Sequence, residues 1–172
     1  LLHPLGTGVK AVIMPRWNAD KGLELVRDEQ VTMLFGPPIF ALGLASAKDF
    51  STVAVQSIRL VSSGATAITE SYVREVARTF GAVVKRTYGS TEAPVVCTAL
   101  PDDDPERFWS TDGRPAPGVE LEIRDPDGRV LPAGQQGEIW LRGPELCSGY
   151  LDVEQTANTF IDGWMRTRDL GT

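Results

Sequence analysis

Ala82-Val83-Val84 runs straight into Lys85-Arg86-Thr87-Tyr88-Gly89-Ser90-Thr91-Glu92-Ala93-Pro94-Val95, and this stretch decides how the chain reads. Three apolar residues open into an aromatic, a glycine, two hydroxyls and a carboxylate. That order describes a strand whose polar groups gather at its carboxyl end, the place where open α/β sheets bind ligands. Tyr88 offers a flat ring face and Gly89 lets backbone come close. Ser90 and Thr91 carry hydroxyls suited to phosphate oxygens, and Glu92 suits a hard divalent cation.

Upstream of that strand the chain alternates between two periods. Val9 to Met14 is apolar except for Lys10 and reads as a buried strand. Asn18 caps a helix carrying Leu23 and Val26. Val31 to Phe35 reads as a strand closed by Gly36-Pro37-Pro38, with a helix over Ile39 to Ala45, and Ile58 to Val61 as a third strand running into Ser62-Ser63-Gly64-Ala65. Thr69 caps the clearest helix. Its one face carries Val73, Val76, Ala77 and Phe80, and Gly81 stands as its stop. Strand and helix alternating in this way predict an α/β subdomain over residues 1–100, a parallel sheet with flanking helices.

The pattern changes after residue 100. Pro101-Asp102-Asp103-Asp104-Pro105 is polar and proline-bounded, and residues 101–112 read as a connecting loop. Val119, Leu121 and Ile123 then alternate with polar residues, as do positions 138–142, with a turn at Asp125-Pro126-Asp127-Gly128. Residues 113–172 are therefore expected to form an antiparallel, barrel-like β subdomain.

Composition bounds the function. The 172 residues carry a net charge of −6 with 42% hydrophobic and 23% charged residues, the balance of a globular protein with a real core. The acidic balance argues against nucleic acid or an anionic membrane as main partner. No apolar run approaches the roughly 20 residues of a membrane span, and Leu1-Leu2-His3-Pro4-Leu5 lacks the build of a signal peptide. Cys97 and Cys147 have no companion metal ligands and read as reduced thiols, so a cytoplasmic location is expected. Asp102-Asp103-Asp104 reads as a solvated acidic loop, and Trp109, Trp140 and Trp164 as packing residues. Gly6-Thr7-Gly8 precedes a strand and lacks a third glycine, so it is not a dinucleotide fingerprint.

Four segments in order resemble the adenylate-forming enzymes, the superfamily of acyl-CoA synthetases, luciferases and peptide-synthetase adenylation domains. Ser62-Ser63-Gly64-Ala65-Thr66 is similar to that superfamily's small-residue loop beside the acyl and adenine pockets. Tyr88-Gly89-Ser90-Thr91-Glu92 resembles its adenine- and phosphate-contacting motif. Gly137-Glu138-Ile139-Trp140-Leu141-Arg142-Gly143-Pro144 with Gly149-Tyr150-Leu151 looks like its barrel segment. Asp162-Gly163-Trp164 with Thr167-Arg168-Asp169-Leu170-Gly171 looks like its ribose-binding motif.

The resemblance implies roles. Tyr88 stacks on adenine, Thr91 bonds the α-phosphate and Glu92 holds Mg²⁺, with Thr91 and Glu92 the catalytic pair. Asp169 accepts from the ribose hydroxyls, and Gly64, Ala65, Thr66, Gly89 and Ser90 complete the nucleotide site. The substrates implied are ATP, a carboxylic acid, fatty or aryl, and CoA, with no nucleic-acid partner. One departure stands out: the superfamily places a glycine between the Thr and Asp of the ribose motif, where this chain has Arg168. A turn to φ > 0 there predicts strain on the order of 1–3 kcal/mol.

The superfamily's Gly/Ser/Thr-rich phosphate loop with its lysine, and its small C-terminal domain, have no counterpart here. His3 does not match its aromatic-pocket histidine. The expectation is a central fragment of a larger domain, inactive alone. Two other readings stay open: a peptide-synthetase adenylation domain, whose acidic anchor is not evident near Met14-Pro15-Arg16-Trp17, and a non-catalytic nucleotide-binding module.

Overall fold

A computed structural model describes residues 6–100 and 103–172; His3 and Asp102 lie outside the described residues. The chain divides into two compact units, Leu1–Arg86 with Pro101–Asp112, and Thr87–Leu100 with Gly113–Thr172.

The first unit is built from helices whose ends are written locally. Asn18 Oδ1 accepts from the Lys21 N–H at 2.9 Å and starts α1, Ala19–Asp28. Pro38 opens α2, Pro38–Ala45, at the first helical position, where its missing N–H costs nothing. Thr69 Oγ1 accepts from Tyr72 N–H at 3.3 Å to cap α3, Glu70–Phe80, which Gly81 ends at φ +62°. Between them run β1, Met33–Gly36, β2, Leu60–Ser63, and β3, Val83–Tyr88, which leaves this unit after Arg86. They pair in parallel, Met33 opposite Leu60 and Leu60 opposite Val83.

Leu23 and Val26 of α1, Ala41 and Leu44 of α2, and Val73, Val76 and Phe80 of α3 are buried in one cluster with Val61 and Val84. Burying each of the larger aliphatic side chains contributes roughly 1.5–3 kcal/mol. That anchors β2 and the start of β3.

Two expectations are corrected here. Residues 9–14 form no strand: the segment has no ladder partner among the described residues, and Val9 and Ile13 are 56% and 67% exposed. The strand that carries the quoted cluster is consequently the third. The acidic loop also contains a helix, α4, Pro105–Ser110, because Asp104 accepts from the Glu106 N–H at 3.0 Å and Pro105 is preset for a first helical turn.

In the second unit the end of β3 turns to antiparallel pairing, Tyr88 opposite Cys97 of β4, Cys97–Thr98, which pairs in turn with β5, Arg114–Pro115. A curled antiparallel sheet follows, ordered β6, Glu120–Arg124, then β7, Gly137–Arg142, then β9, Trp164–Gly171, then β8, Phe160–Ile161. A register shift between Glu138 and Trp140 bends β7 against β9. The short helix α5, Val153–Thr159, precedes β8.

Alternation sorts the two faces of this sheet. Ile139, Leu141 and Met165 pack with Ala93, Val96 and Cys97. Trp140 and Trp164 are buried too, beneath arginines, with the Arg124 guanidinium 4.4 Å and 4.7 Å from their ring centres. Both cysteines are free thiols. The architecture is the α/β class expected, a parallel sheet with helices followed by an antiparallel β subdomain.

Candidate active site

The loop after β3 is closed by its own backbone. Val96 N–H donates to Tyr88 O at 2.9 Å, and Ser90 N–H donates to Ala93 O at 2.9 Å. Ala93 N–H donates to Ser90 Oγ at 3.3 Å. This tight return explains Gly89, since a Cβ there would lie 2.5 Å from Pro94 O and 2.8 Å from Pro94 C. Thr91 and Ser90 are left exposed at the loop surface, with Glu92 half-buried beside them.

Two carboxylates of this unit are each held by a tyrosine. Tyr88 Oη donates to Asp169 Oδ2 at 2.6 Å, which brings the tip of β3 to the end of β9 across 81 positions of sequence. Tyr150 Oη donates to Glu92 Oε1 at 2.6 Å, across 58 positions. Both lengths are those of O–H···O⁻ bonds.

The electrostatics follow. Burial first, and then the bond to Asp169, push the Tyr88 phenol well above its ordinary range, so it is a donor at neutral pH. The Tyr150 hydroxyl, the residue's own N–H and the Ser90 hydroxyl, in that order, hold Glu92 below the usual carboxylate range. It is ionised. Tyr150 is raised in turn by its bond to Glu92.

The turn into Asp169 carries the departure noted in the sequence. Arg168 has φ +64°, the left-handed region in which a glycine is free and an arginine strained. It is held by neighbours: Arg168 N–H donates to Glu138 Oε1 at 3.3 Å, Arg166 Nη2 reaches Glu138 Oε2 at 2.8 Å, and Thr167 Oγ1 donates to Ile139 O at 2.8 Å. Asp169 N–H then donates to Thr167 Oγ1 at 3.1 Å, and the Asp169 side chain stays exposed.

Gly64, Ala65 and Thr66 lie in the first unit, just beyond the carboxyl end of β2. Ala65 takes φ +66° there. Behind it Ser63 Oγ and Tyr72 Oη share a buried hydrogen bond of 2.7 Å that ties β2 to α3.

Among the described residues no group of three or more His, Cys, Asp or Glu could hold a metal ion. A lone ionised carboxylate such as Glu92 does not make a resident metal cage. It does suit Mg²⁺, which takes one or two protein carboxylates and fills its shell with substrate phosphates and water.

Tyr150 was not legible as a site residue. The only sequence signal was its place in Gly149-Tyr150-Leu151; its partner is remote in the chain.

Comparisons with known proteins identify the family. A family model described as AMP-binding enzyme matches residues 1–151. The indoleacetate–CoA ligase of Aromatoleum aromaticum is 30% identical over 168 residues, covering 97% of this chain and 33% of the relative. An anthranilate CoA ligase solved with anthranoyl-AMP superposes with a TM-score of 0.87 at 25% identity, covering 99% of this chain and 33% of that one. The amide bond synthetase McbA of Marinactinospora thermotolerans superposes with a TM-score of 0.79 at 36% identity, covering 92% and 33%. The chain thus spans about a third of the length of the relatives it matches. With the motifs in order, the family model over most of the chain and the shared fold, this chain belongs to the AMP-binding, adenylate-forming enzymes.

Proposed function

We propose that this chain is the central part of an ATP-dependent acyl-CoA synthetase that activates a fatty or aryl acid as its acyl-adenylate and passes the acyl group to CoA. The observation that carries the reading is the Tyr88–Asp169 bond, which joins the adenine-type motif to the ribose-type motif at one strand tip. An adenosine fits that pair chemically. The Tyr88 ring offers a stacking face, and the exposed Asp169 carboxylate offers acceptor sites for ribose hydroxyls.

In the first half-reaction a carboxylate oxygen attacks the α-phosphorus of ATP. The bond from that phosphorus to the β-phosphate bridging oxygen breaks, and pyrophosphate leaves. In the second, the thiolate of CoA attacks the acyl carbon and AMP departs with the oxygen that bridged acyl group and phosphorus. Thr91 and Ser90 present hydroxyls to phosphate oxygens, and Glu92 is the ionised ligand at which Mg²⁺, when bound, supplies charge neutralisation. The resemblance assigns the small residues Gly64, Ala65 and Thr66 to contact with the adenine and acyl groups. Rate enhancement rests on positioning and fixed charge.

A specific observation favours one second reading. An amide bond synthetase shares the fold at 36% identity, so the acceptor of the acyl group is an amine in that alternative. The intact protein distinguishes the two. Acid-dependent ATP–pyrophosphate exchange is expected, followed by AMP release that depends on CoA. Exchange with AMP release driven by amines and indifferent to CoA selects the amide reading, and absence of exchange with any fatty or aryl acid rejects both. The 172-residue chain alone is expected to give no exchange.

A further inference from the structure

Glu92 is gripped by one short segment from two directions. Cys147 N–H donates to the Glu92 backbone oxygen at 2.8 Å, and three residues later Tyr150 Oη donates to the Glu92 carboxylate at 2.6 Å. Tyr150 is itself fixed. Its N–H donates to Thr156 Oγ1 at 2.8 Å, Thr156 Oγ1 lies 3.2 Å from its carbonyl, and its ring meets Phe160 edge-on with centres 6.0 Å apart. Gly149 permits this close return at φ +133°, because a Cβ there would sit 2.7 Å from Thr156 Cγ2.

The backbone of the 89–96 loop does not need the phenol. It is already closed by the Ser90–Ala93 and Val96–Tyr88 bonds and tied down by Cys147. What the phenol adds is restraint of the carboxylate. An unrestrained Glu samples several rotamers, and each must be given up when a cation and a polyphosphate arrive.

We propose that Tyr150 is a positioning residue that holds the Glu92 carboxylate in the orientation used to bind the divalent cation of a metal–nucleotide complex. It acts as the outer partner of a metal ligand, the kind of contact whose loss weakens metal affinity roughly 10–100-fold. The inference rests on the reading of Glu92 as the cation ligand.

The test uses the intact protein, MnCl₂ and ATP, with bound Mn²⁺ read by electron paramagnetic resonance and ATP binding without metal read by calorimetry in chelator. Tyr150→Phe keeps the ring against Phe160 and removes only the hydroxyl. It is expected to weaken Mn²⁺ binding in the presence of ATP by about tenfold while metal-free ATP binding stays within about twofold. Thr156→Val, which unpins the Tyr150 backbone, gives a smaller loss in the same direction and serves if the first variant does not fold. Unchanged or tighter Mn²⁺ binding overturns the proposal, as does a loss shared equally by metal-free ATP, which marks a merely structural contact. Glu92→Gln separates the premises: if it leaves Mn²⁺ binding intact, the ligand assignment itself falls. If it abolishes Mn²⁺ binding while Tyr150→Phe does nothing, only the positioning role falls.

Discussion

Tyr88 Oη lies 2.6 Å from Asp169 Oδ2, so the phenol at the tip of β3 and the carboxylate at the end of β9 are one hydrogen-bonded unit. The phenol fixes the acid, and burial together with the bond to the acid raises the phenol above its ordinary range. Tyr88→Phe leaves the stacking face and releases Asp169. AMP affinity of the intact protein is expected to fall about tenfold, equivalent to about 1.4 kcal/mol, whereas Tyr88→Ala also loses stacking and falls further by about 1–3 kcal/mol. Calorimetry of AMP binding checks both, and equal affinity in wild type and Tyr88→Phe counts against the paired role. A pH effect accompanies the bond. Because the folded-state phenol is raised, its contribution to stability is complete below the ordinary phenol value near 10 and fades as pH climbs through the higher folded value. Tyr88→Phe should therefore flatten the alkaline limb of a stability–pH curve.

Arg168 stands at φ +64° where a glycine would be at ease. The left-handed conformation costs a non-glycine residue roughly 1–2 kcal/mol, and glycine gives back about 0.4–1 kcal/mol through the entropy of the unfolded chain. Arg168→Gly is therefore expected to stabilise by about 0.5–1 kcal/mol, a rise of a few degrees in melting temperature for a domain of this size. Arg168→Ala removes the same guanidinium but keeps the strain, so it should not stabilise. If the two variants melt alike, the charge and not the backbone sets the stability of this turn.

How much of this was legible in advance depended on how local the cause is. The caps at Asn18, Thr69 and Gly81 sit within four residues of what they satisfy, and the helices begin and end there as read. The apolar run over 9–14 met the same pattern rule and failed. Strand identity needs a partner, and periodicity carries no information about one. Tyr88, Glu92 and Asp169 could be singled out as candidates because their chemistry is clustered in motifs. The strain at Arg168 was findable because one residue broke a motif. Tyr150 could not be singled out, since what marks it is a contact made across 58 positions.

Gly89 carries a sharper prediction because the obstruction is backbone. Its missing Cβ would meet Pro94 O at 2.5 Å, Pro94 C at 2.8 Å and Ala93 O at 2.9 Å, none of which can rotate away. Gly89→Ala must open the return of the loop, strain the Ser90–Ala93 and Val96–Tyr88 bonds, and displace Glu92. Overpacking of this kind costs about 1–3 kcal/mol. Unfolding by denaturant gives the loss in stability. AMP and Mn²⁺ affinities should fall together, unlike the selective effects expected of Tyr88→Phe and Tyr150→Phe. A variant that binds AMP normally would show that the close return is not needed to place Tyr88.

Glu138 is the support on which the Arg168 turn leans. Its two oxygens accept from Arg166 Nε at 3.3 Å, Arg166 Nη2 at 2.8 Å and the Arg168 N–H at 3.3 Å, while its side chain is only 17% exposed. Glu138→Gln keeps one acceptor oxygen and removes the charge that pairs with Arg166, so the partly exposed guanidinium loses its bidentate partner. A loss of about 1–3 kcal/mol is expected, in the range for hydrogen bonds to charged groups. The more telling measurement is a double-mutant cycle with Arg168→Gly. If Glu138 works partly by holding a strained backbone, glycine at 168 lessens what it must hold, and the two effects should be non-additive by at least about 0.5 kcal/mol. Strict additivity would mean that Glu138 serves Arg166 alone and that the turn carrying Asp169 is held by the Thr167–Ile139 bond instead.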